Sequence, residues 1–280
     1  MPNNFADIRL VVSDIDGTLV TKQKQVTSRA MDAINKIRES GILFTVISSR
    51  PPRGIEVVAK TVGVTEPIPA FNGGMIVEPD LKTALREKLI EPIVVERLLK
   101  ALPETGIDTW VYTDTDWFVL DVNGPKVQHE AHAVKYAPTE VKDFSCVPLN
   151  RVAKLVGVSE NFDAVEAAEK RFQQEFAGAV SATRSQRYYL DITHPSANKG
   201  EGILLLSELL EIPPANIACI GDMENDVYMF RQAGLSIAMG NATPAVQGEA
   251  QFVTTSNEEE GFANAMERYI LAPRGQAAVR

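Results

Sequence analysis

The chain has 280 residues, of which 45% are hydrophobic and 23% are charged, a composition typical of a soluble globular protein with a sizeable core. Its net charge of -9 at pH 7 argues against the broad basic surface that a nucleic acid or an anionic membrane would need. An anionic ligand would therefore need positive charge supplied locally, by a metal ion or by a few placed Lys and Arg side chains.

The sequence also predicts where the protein is located in the cell and how many structural parts it has. No segment approaches the roughly 18 consecutive apolar residues of a membrane span, and the first residues lack the basic-then-apolar pattern of a signal peptide. We therefore expect a cytoplasmic protein with no membrane partner. The length is close to the limit for one core, about 250 to 300 residues, which favours two unequal parts. The final residues, 274–280, are expected to form a frayed end.

Strand and helix alternate at the start of the chain. Apolar runs at 8–12 and 42–47 flank a stretch at 27–40 whose apolar residues recur at helical spacing. Thr27 is placed to cap this helix and Gly41 to end it. Continuous apolar strands joined by a helix predict a right-handed crossover in a parallel sheet.

The alternation returns near the C-terminus. Helices are predicted over 198–211, 224–233 and 259–271, and buried strands over 217–220 and 235–239. The two ends of the chain together predict an α/β fold with a Rossmann-like, doubly wound parallel-sheet core.

The middle of the chain has a different pattern. It contains predicted helices at 91–101 and 162–176 and predicted strands at 107–113, 117–121, 152–158, 179–183 and 187–192. The tight turn between the first two strands indicates an antiparallel hairpin. We predict an inserted α+β domain over residues 85–193, between core segments at 1–84 and 194–280.

Acidic residues follow two predicted core strands where each strand ends. Asp14 and Asp16 are two positions apart and can face one site, while Asp222 follows the strand at 217–220. Ligand sites in open α/β sheets lie beyond these carboxyl ends. Gathered carboxylates repel one another unless a hard cation such as Mg²⁺ joins them. Turn formation and helix capping are the alternative interpretations.

Two further motifs suit an anion at the same edge. The hydroxyl of Ser48, at the end of the strand over 42–47, and the nearby backbone N–H groups can hold a phosphate oxygen. Lys199 lies in the first turn of the helix over 198–211, where a cation opposes the helix dipole unless an anion binds there. A plain loop and an exposed lysine are the alternatives.

In this order the motifs resemble those of the haloacid dehalogenase (HAD) superfamily of phosphatases, specifically its Cof-type, class IIB branch. The matching segments are Asp14-Ile15-Asp16-Gly17-Thr18-Leu19, Ser48-Ser49-Arg50-Pro51, Lys199-Gly200, Gly221-Asp222-Met223-Glu224-Asn225-Asp226, Phe71-Asn72-Gly73-Gly74 and Ala238-Met239-Gly240-Asn241-Ala242. The short gap between the first two motifs leaves no room for a cap there, so the resemblance makes residues 85–193 the cap. Ser49 stands where the family usually has glycine, which leaves open how substrate or cap approaches this loop.

The resemblance implies a Mg²⁺-dependent phosphatase of small phosphorylated metabolites. Asp14 would attack phosphorus and form an aspartyl phosphate, and Asp16 would protonate the leaving alcohol and then activate water. Mg²⁺ would be held by Asp14, the backbone carbonyl of Asp16, and Asp222. Ser48 and Lys199 would bind the phosphoryl oxygens. The implied supporting residues are Asn225 and Asp226.

The motifs do not identify the substrate. Members of this branch resemble one another in accepting sugar phosphates, flavin mononucleotide, pyridoxal phosphate and similar compounds. Candidate contacts with the leaving group are Arg50 and Asn72 from the core and Arg184, Tyr188 and Asp191 from the inserted domain, although packing or solvation also accounts for these side chains. The expected partner is a small phosphomonoester, and the expected state is a monomer or a weak homo-oligomer.

Two other functions fit the same motifs. A phosphomutase would shield the phosphorylated intermediate from water and return the phosphoryl group to a substrate. A non-catalytic sensor would bind a phosphorylated metabolite without turnover, but such a module could discard the nucleophile that Asp14 supplies.

Overall fold

The computed structural model describes residues 7–272, so the frayed end predicted at 274–280 lies outside the described residues. The strands, in chain order, are β1 (Leu10–Asp14), β2 (Leu43–Ile47), β3 (Ile68–Ala70), β4 (Met75–Val77), β5 (Ala84–Glu87), β6 (Asp108–Thr113), β7 (Trp117–Val119), β8 (Thr139–Glu140), β9 (Val152–Val158), β10 (Ser181–Gln186), β11 (Tyr189–Thr193), β12 (Ile217–Gly221), β13 (Leu235–Ala238) and β14 (Phe252–Val253). The helices are α1 (Ser28–Glu39), α2 (Pro52–Val62), α3 (Pro92–Ala101), α4 (Val127–Val134), α5 (Phe162–Glu175), α6 (Lys199–Leu210), α7 (Val227–Phe230), α8 (Pro244–Gln247) and α9 (Gly261–Ala265).

A five-stranded parallel sheet forms the core, in the order β14-β13-β12-β1-β2. Successive side chains of β1 enter opposite apolar layers, as the two-residue period of a strand requires. Val11 belongs to the same cluster as Ile34 of α1, whereas Leu10 and Val12 belong to the cluster that contains Ile203 of α6. Helices therefore cover both faces, and the predicted doubly wound α/β core is confirmed.

Two core helices differ from the prediction. The helix expected over 224–233 is a 3-10 turn at Glu224–Asp226 followed by the short α7. The Asp226 carboxylate accepts hydrogen bonds from the backbone N–H groups of Asp222 and Met223 at the start of this segment. The helix expected over 259–271 is α9, which continues as a π-helix at Met266–Leu271.

Residues 52–87 contain structure that the sequence analysis did not predict. Helix α2 begins with Pro52, which suits a first turn because its missing N–H has no helical partner there. Strands β3, β4 and β5 then form a separate antiparallel sheet. The predicted domain boundary between residues 84 and 85 falls inside β5, and the division into core and cap domains stays a prediction.

The inserted segment forms a six-stranded sheet, in the order β10-β11-β9-β6-β7-β8, which we call the cap sheet. Its pairs are antiparallel except β7 with β8. On one face, Val111, Leu155 and Leu190 pack with Leu98 of α3 and Phe172 of α5. The residues that alternate with them on the same strands face the core and line the cavity described below.

The predicted strand at 152–158 is confirmed as β9, but β10 and β11 each begin two residues later than predicted. The irregular register between Arg184 and Gln186 moves the turn toward residues 187 and 188. No helix among residues 7–272 combines the length and the apolar character that crossing a membrane requires.

Candidate active site

The carboxyl ends of the core strands open into a cavity of about 490 Å³ beneath the cap sheet. This volume lies within the range of about 300 to 1,000 Å³ that is usual for small-molecule sites. Asp14 at the end of β1, Asp222 after β12 and Lys199 at the start of α6 all line it. The structure therefore brings three separated motifs to one place, as the parallel topology predicts.

Asp14 and Lys199 form a buried ion pair at the floor of the cavity. The Lys199 ammonium, which is 1% exposed, donates to Asp14 Oδ1 and to Asp226 Oδ1, each at 2.6 Å. Burial raises the pKa of Asp14 well above its usual range, against the charge of Lys199, which lowers it. Burial lowers the pKa of Lys199, but the charges of Asp14 and Asp226 raise it more, so the ammonium keeps its charge.

Asp222 lies beside this pair and is also buried. Its carboxylate accepts hydrogen bonds from Thr18 Oγ1 at 3.2 Å and from Asn241 Nδ2 at 3.1 Å. Burial and the nearby charge of Asp226 raise the pKa of Asp222 to about 7. Gly17 has a φ of +78°, and a Cβ there would collide with the Asp222 carboxylate. Only glycine therefore allows the first loop to approach this carboxylate so closely.

The acidic groups suit a divalent cation. Asp14, Asp222 and Asp226 each offer a carboxylate oxygen, and these oxygens all lie within 4.8 Å of one another. Oxygen ligands of this kind suit a hard cation such as Mg²⁺. Asp226 already accepts bonds from Lys199 and from two backbone N–H groups. Asp226 therefore holds this loop and Lys199 in place.

Asp16 is held by two cations. Arg50 donates to it through Nε and Nη2, both at 2.7 Å, and Lys24 Nζ donates at 2.5 Å. Burial raises the pKa of Asp16, but Arg50 and Lys24 outweigh that effect and lower the pKa to about 2. Arg50 also donates to the carbonyl oxygen of Gly54 at 3.0 Å. Arg50, a sequence candidate for binding the leaving group, is thus engaged with Asp16 in this structure.

Ser48, Asn72 and Asn225 connect the remaining motifs. Ser48 is buried, and its hydroxyl accepts a hydrogen bond from the backbone N–H of Arg50 at 3.1 Å. Asn72 donates its backbone N–H to the Ser48 carbonyl oxygen at 2.9 Å and accepts from Asn225 Nδ2 at 3.0 Å. Both asparagines line the cavity, whereas Ser49 rather than Ser48 forms its wall.

The three candidates from the inserted domain also line the cavity. Arg184 is turned toward carboxylates of α5, since its Nε lies 2.8 Å from Glu169 Oε2. Tyr188 is half-buried, and Asp191 is buried with one oxygen 3.6 Å from Lys154 Nζ. The roles of all three in contacting the leaving group stay predictions.

The sequence analysis did not identify five residues of the site. Thr18 and Asn241 stand within motifs similar to the HAD family, which was the signal that could have identified them. Lys24, Glu130 and Lys154 stand in no such motif. Lys154 comes from the middle of a cap strand, and only the folding of the inserted segment over the core brings it to this cavity.

Comparison with known proteins identifies the family. The model of the haloacid dehalogenase-like hydrolases matches residues 11–266. The chain is 26% identical over 278 residues to a 5-amino-6-(5-phospho-D-ribitylamino)uracil phosphatase of Bacillus subtilis, covering 91% of this chain and 96% of that protein.

Two solved structures share the fold. A haloacid dehalogenase-like hydrolase from Bacteroides thetaiotaomicron is 29% identical, with a TM-score of 0.85 over 93% of this chain and 99% of that chain. A HAD subclass IIB sugar phosphatase is 20% identical, with a TM-score of 0.81 over 93% of this chain and 98% of that chain. Because the family match spans both core segments and the insertion between them, the chain belongs to the haloacid dehalogenase-like hydrolases and is a phosphoric monoester hydrolase.

Proposed function

We propose that the chain is a Mg²⁺-dependent phosphatase that passes the phosphoryl group of a small phosphomonoester to Asp14 and then to water. The observation that supports this most strongly is the Lys199 ammonium, bound to Asp14 and Asp226 at 2.6 Å each, beside the buried carboxylate of Asp222. A carboxylate nucleophile is repelled by a phosphate dianion, so positive charge must be built in next to it.

In the first step, a carboxylate oxygen of Asp14 forms a bond to phosphorus while the bond from phosphorus to the leaving oxygen breaks. The leaving alkoxide takes its proton from Asp16. Lys199 and the hydroxyl of Ser48 bind the phosphoryl oxygens. Asn225 and Asp226 are the supporting residues, which hold the binding groups in position. Mg²⁺, held by Asp14, Asp222 and the backbone carbonyl of Asp16, would offset the negative charge of the phosphoryl group.

In the second step, water gives a proton to Asp16 and attacks the aspartyl phosphate, which releases inorganic phosphate and restores Asp14. Arg50 and Lys24 hold Asp16 as a carboxylate, the form that accepts this proton. Donating a proton to the leaving group requires the protonated form. We therefore infer that at least one of these ion pairs loosens when substrate enters.

The range of substrates follows from the cavity and the relatives. The relatives named above act on a phosphorylated ribityl compound and on a sugar phosphate. A cavity of about 490 Å³ accommodates a metabolite of that class. We propose that the substrate belongs to the small phosphorylated metabolites, with sugar phosphates, flavin mononucleotide and pyridoxal phosphate as the candidates to assay.

Magnesium is expected to activate and to stabilise the protein. A ligand that binds only the folded state at about 100 times its Kd adds about 2.7 kcal/mol to the free energy of unfolding. For a chain of this length that gain corresponds to a rise in Tm of about 5 °C. Asp222→Asn should lose most of this rise, whereas Asp32→Asn, at an exposed position of α1, should keep it.

The assay measures release of free phosphate from p-nitrophenyl phosphate and from a panel of phosphorylated metabolites, with Mg²⁺ or with EDTA. Phosphate release that needs Mg²⁺ is the expected result. Full activity in EDTA would contradict the metal requirement, and binding without turnover would indicate a sensor. Transfer of the phosphoryl group between positions of one substrate, without free phosphate, would indicate a mutase.

A further inference from the structure

Three ionisable side chains in the wall of the cavity have no part in the phosphoryl transfer proposed above. Lys154 lies on β9, Asp191 on the neighbouring β11 and Glu130 on α4, and all three line the cavity. Lys154 and Asp191 are only 6% and 4% exposed. Burying charges in a sheet face is costly unless their hydrogen-bonding capacity is used.

The Lys154 ammonium has N–H donors that its protein contacts do not fully engage. Its Nζ lies 3.4 Å from the carbonyl oxygen of Ser49 and 3.6 Å from Asp191 Oδ1. Both distances exceed the 2.7 to 2.9 Å that is usual for charge-assisted hydrogen bonds. An ammonium has three N–H donors. Lys154 can therefore donate to a ligand atom in the cavity, close to the loop that carries Arg50.

Glu130 supplies an acceptor on the same wall. The hydroxyls of Tyr112 and Tyr189 donate to its two carboxylate oxygens at 3.5 and 3.4 Å. These contacts are long for O–H donors, so both oxygens keep room for a further donor. Burial raises the pKa of Glu130, against the charge of Lys154.

The aromatic side chains of β6 and β7 pack against one another within the cap sheet. Tyr112 stacks on Trp117, with ring centroids 5.5 Å apart, and Trp110 meets Trp117 and Tyr189 edge to face. Trp110 is 2% exposed and Tyr112 is fully buried. The rings of Trp110, Tyr112 and Trp117 are therefore packed against one another, and this part of the wall offers a ligand polar atoms rather than a stacking surface.

We propose that Glu130, Lys154 and Asp191 bind the hydroxyl groups of the leaving group, so that the substrate is a phosphorylated sugar or polyol rather than a phosphorylated planar ring. This inference rests on the phosphatase function proposed above. A hydroxyl both donates and accepts, so a wall with carboxylate acceptors around an ammonium donor matches adjacent hydroxyls. The wall carries two carboxylates and one ammonium, which disfavours a second anionic group on the leaving group. Lys154 is the specificity-determining residue, because it supplies the donor.

The first test compares kcat/KM of the wild-type protein with Mg²⁺ on three groups of substrates. These are sugar and polyol phosphates, the planar compound pyridoxal phosphate, and p-nitrophenyl phosphate. We expect the best sugar or polyol phosphate to exceed pyridoxal phosphate by at least about tenfold. Preference for pyridoxal phosphate would overturn this inference while leaving the phosphatase function intact. Failure to hydrolyse any of them, p-nitrophenyl phosphate included, would overturn the phosphatase function itself.

The second test removes the donor. Lys154→Met should lower kcat/KM for the best sugar or polyol phosphate at least about tenfold more than for p-nitrophenyl phosphate, which has no leaving-group hydroxyl to lose. Lys170→Met, at an exposed lysine of α5 paired with Glu166, is the matched control and should leave both values unchanged. Equal losses of Lys154→Met on both substrates would contradict the proposal.

Deoxy analogues of that sugar or polyol phosphate refine this test. The wild-type protein should discriminate against the analogue that lacks the contacted hydroxyl, and Lys154→Met should lose that discrimination. If the single variant does not fold, Lys154→Gln combined with Asp191→Asn removes both charges of the pair together. The same loss of discrimination is then expected, and retained discrimination would overturn the role of this pair.

Discussion

Asp14→Asn is expected to lower kcat for p-nitrophenyl phosphate by at least about 10⁴-fold, because the carboxamide oxygen is too weak a nucleophile to attack phosphorus. The shape of the side chain is kept, and the amide oxygen can still accept the hydrogen bond that Lys199 now donates to Asp14 at 2.6 Å. Lys199 also keeps its second partner, Asp226. Activity should therefore be lost from a protein that remains folded.

Steady-state kinetics with Mg²⁺ and a thermal unfolding curve of the same preparation check this result. Asp32→Asn makes the same chemical change at an exposed position of α1, and both its activity and its Tm should match the wild-type protein. Turnover by Asp14→Asn within about tenfold of the wild-type value would show that another group attacks phosphorus.

Lys199→Met is expected to have the largest effect on stability. Its ammonium is 1% exposed and lies 2.6 Å from oxygens of both Asp14 and Asp226. Removing one partner from a buried ion network leaves uncompensated charge and costs about 3 to 5 kcal/mol. The same variant should also be nearly inactive, because the positive charge beside the nucleophile is gone.

Urea denaturation without Mg²⁺, at pH 8, measures the free energy of unfolding of this variant. Lys60→Met is the matched control, since Lys60 is exposed and pairs with Glu56 one helical turn away. Exposed pairs of this kind contribute about 0.3 to 0.5 kcal/mol. A Lys199→Met protein as stable as the control would show that this ion network does not hold the core loops together.

Local patterns were enough to predict elements of both the core and the cap sheet. The strand at 152–158 matches β9, and the capping of α1 by Thr27 is found as predicted, with its side chain accepting from the Ala30 N–H at 3.1 Å. Such features depend on side-chain period and on cap residues that lie close together in sequence. The proximity of the acidic residues at the ends of β1 and β12 was likewise predictable, because a parallel sheet brings the carboxyl ends of its strands to one edge.

Features set by tertiary contacts were not predictable. Asp226 is the clearest case within the core: its carboxylate accepts bonds from two backbone N–H groups, and a 3-10 turn stands where the first turn of a helix was predicted. The contacts of Lys24 and Arg50 with Asp16 are another, because only folding brings them together. Sequence position alone made Arg50 a candidate for the substrate, while the structure pairs it with Asp16.

The residues of the cap sheet that line the cavity were also beyond what sequence patterns predict. Lys154 and Asp191 alternate with apolar residues, as surface-facing positions of an antiparallel strand do. That face of the cap sheet covers the core and lines the cavity, and both side chains are buried. Alternation alone could not show that this face is the wall of the active site.

The most direct test of the phosphatase mechanism is to trap the phosphorylated nucleophile. In Asp16→Asn the group that activates water is missing, while p-nitrophenolate leaves without a general acid, so the phosphoryl group should accumulate on Asp14. The protein is mixed with p-nitrophenyl phosphate and Mg²⁺, quenched in acid and treated with borohydride, which reduces an aspartyl phosphate to homoserine. Peptide mass spectrometry should find homoserine at position 14 in the sample with substrate and aspartate there in the sample without it. Release of p-nitrophenolate with Asp14 left unmodified, or with phosphate found on another residue, would contradict the mechanism.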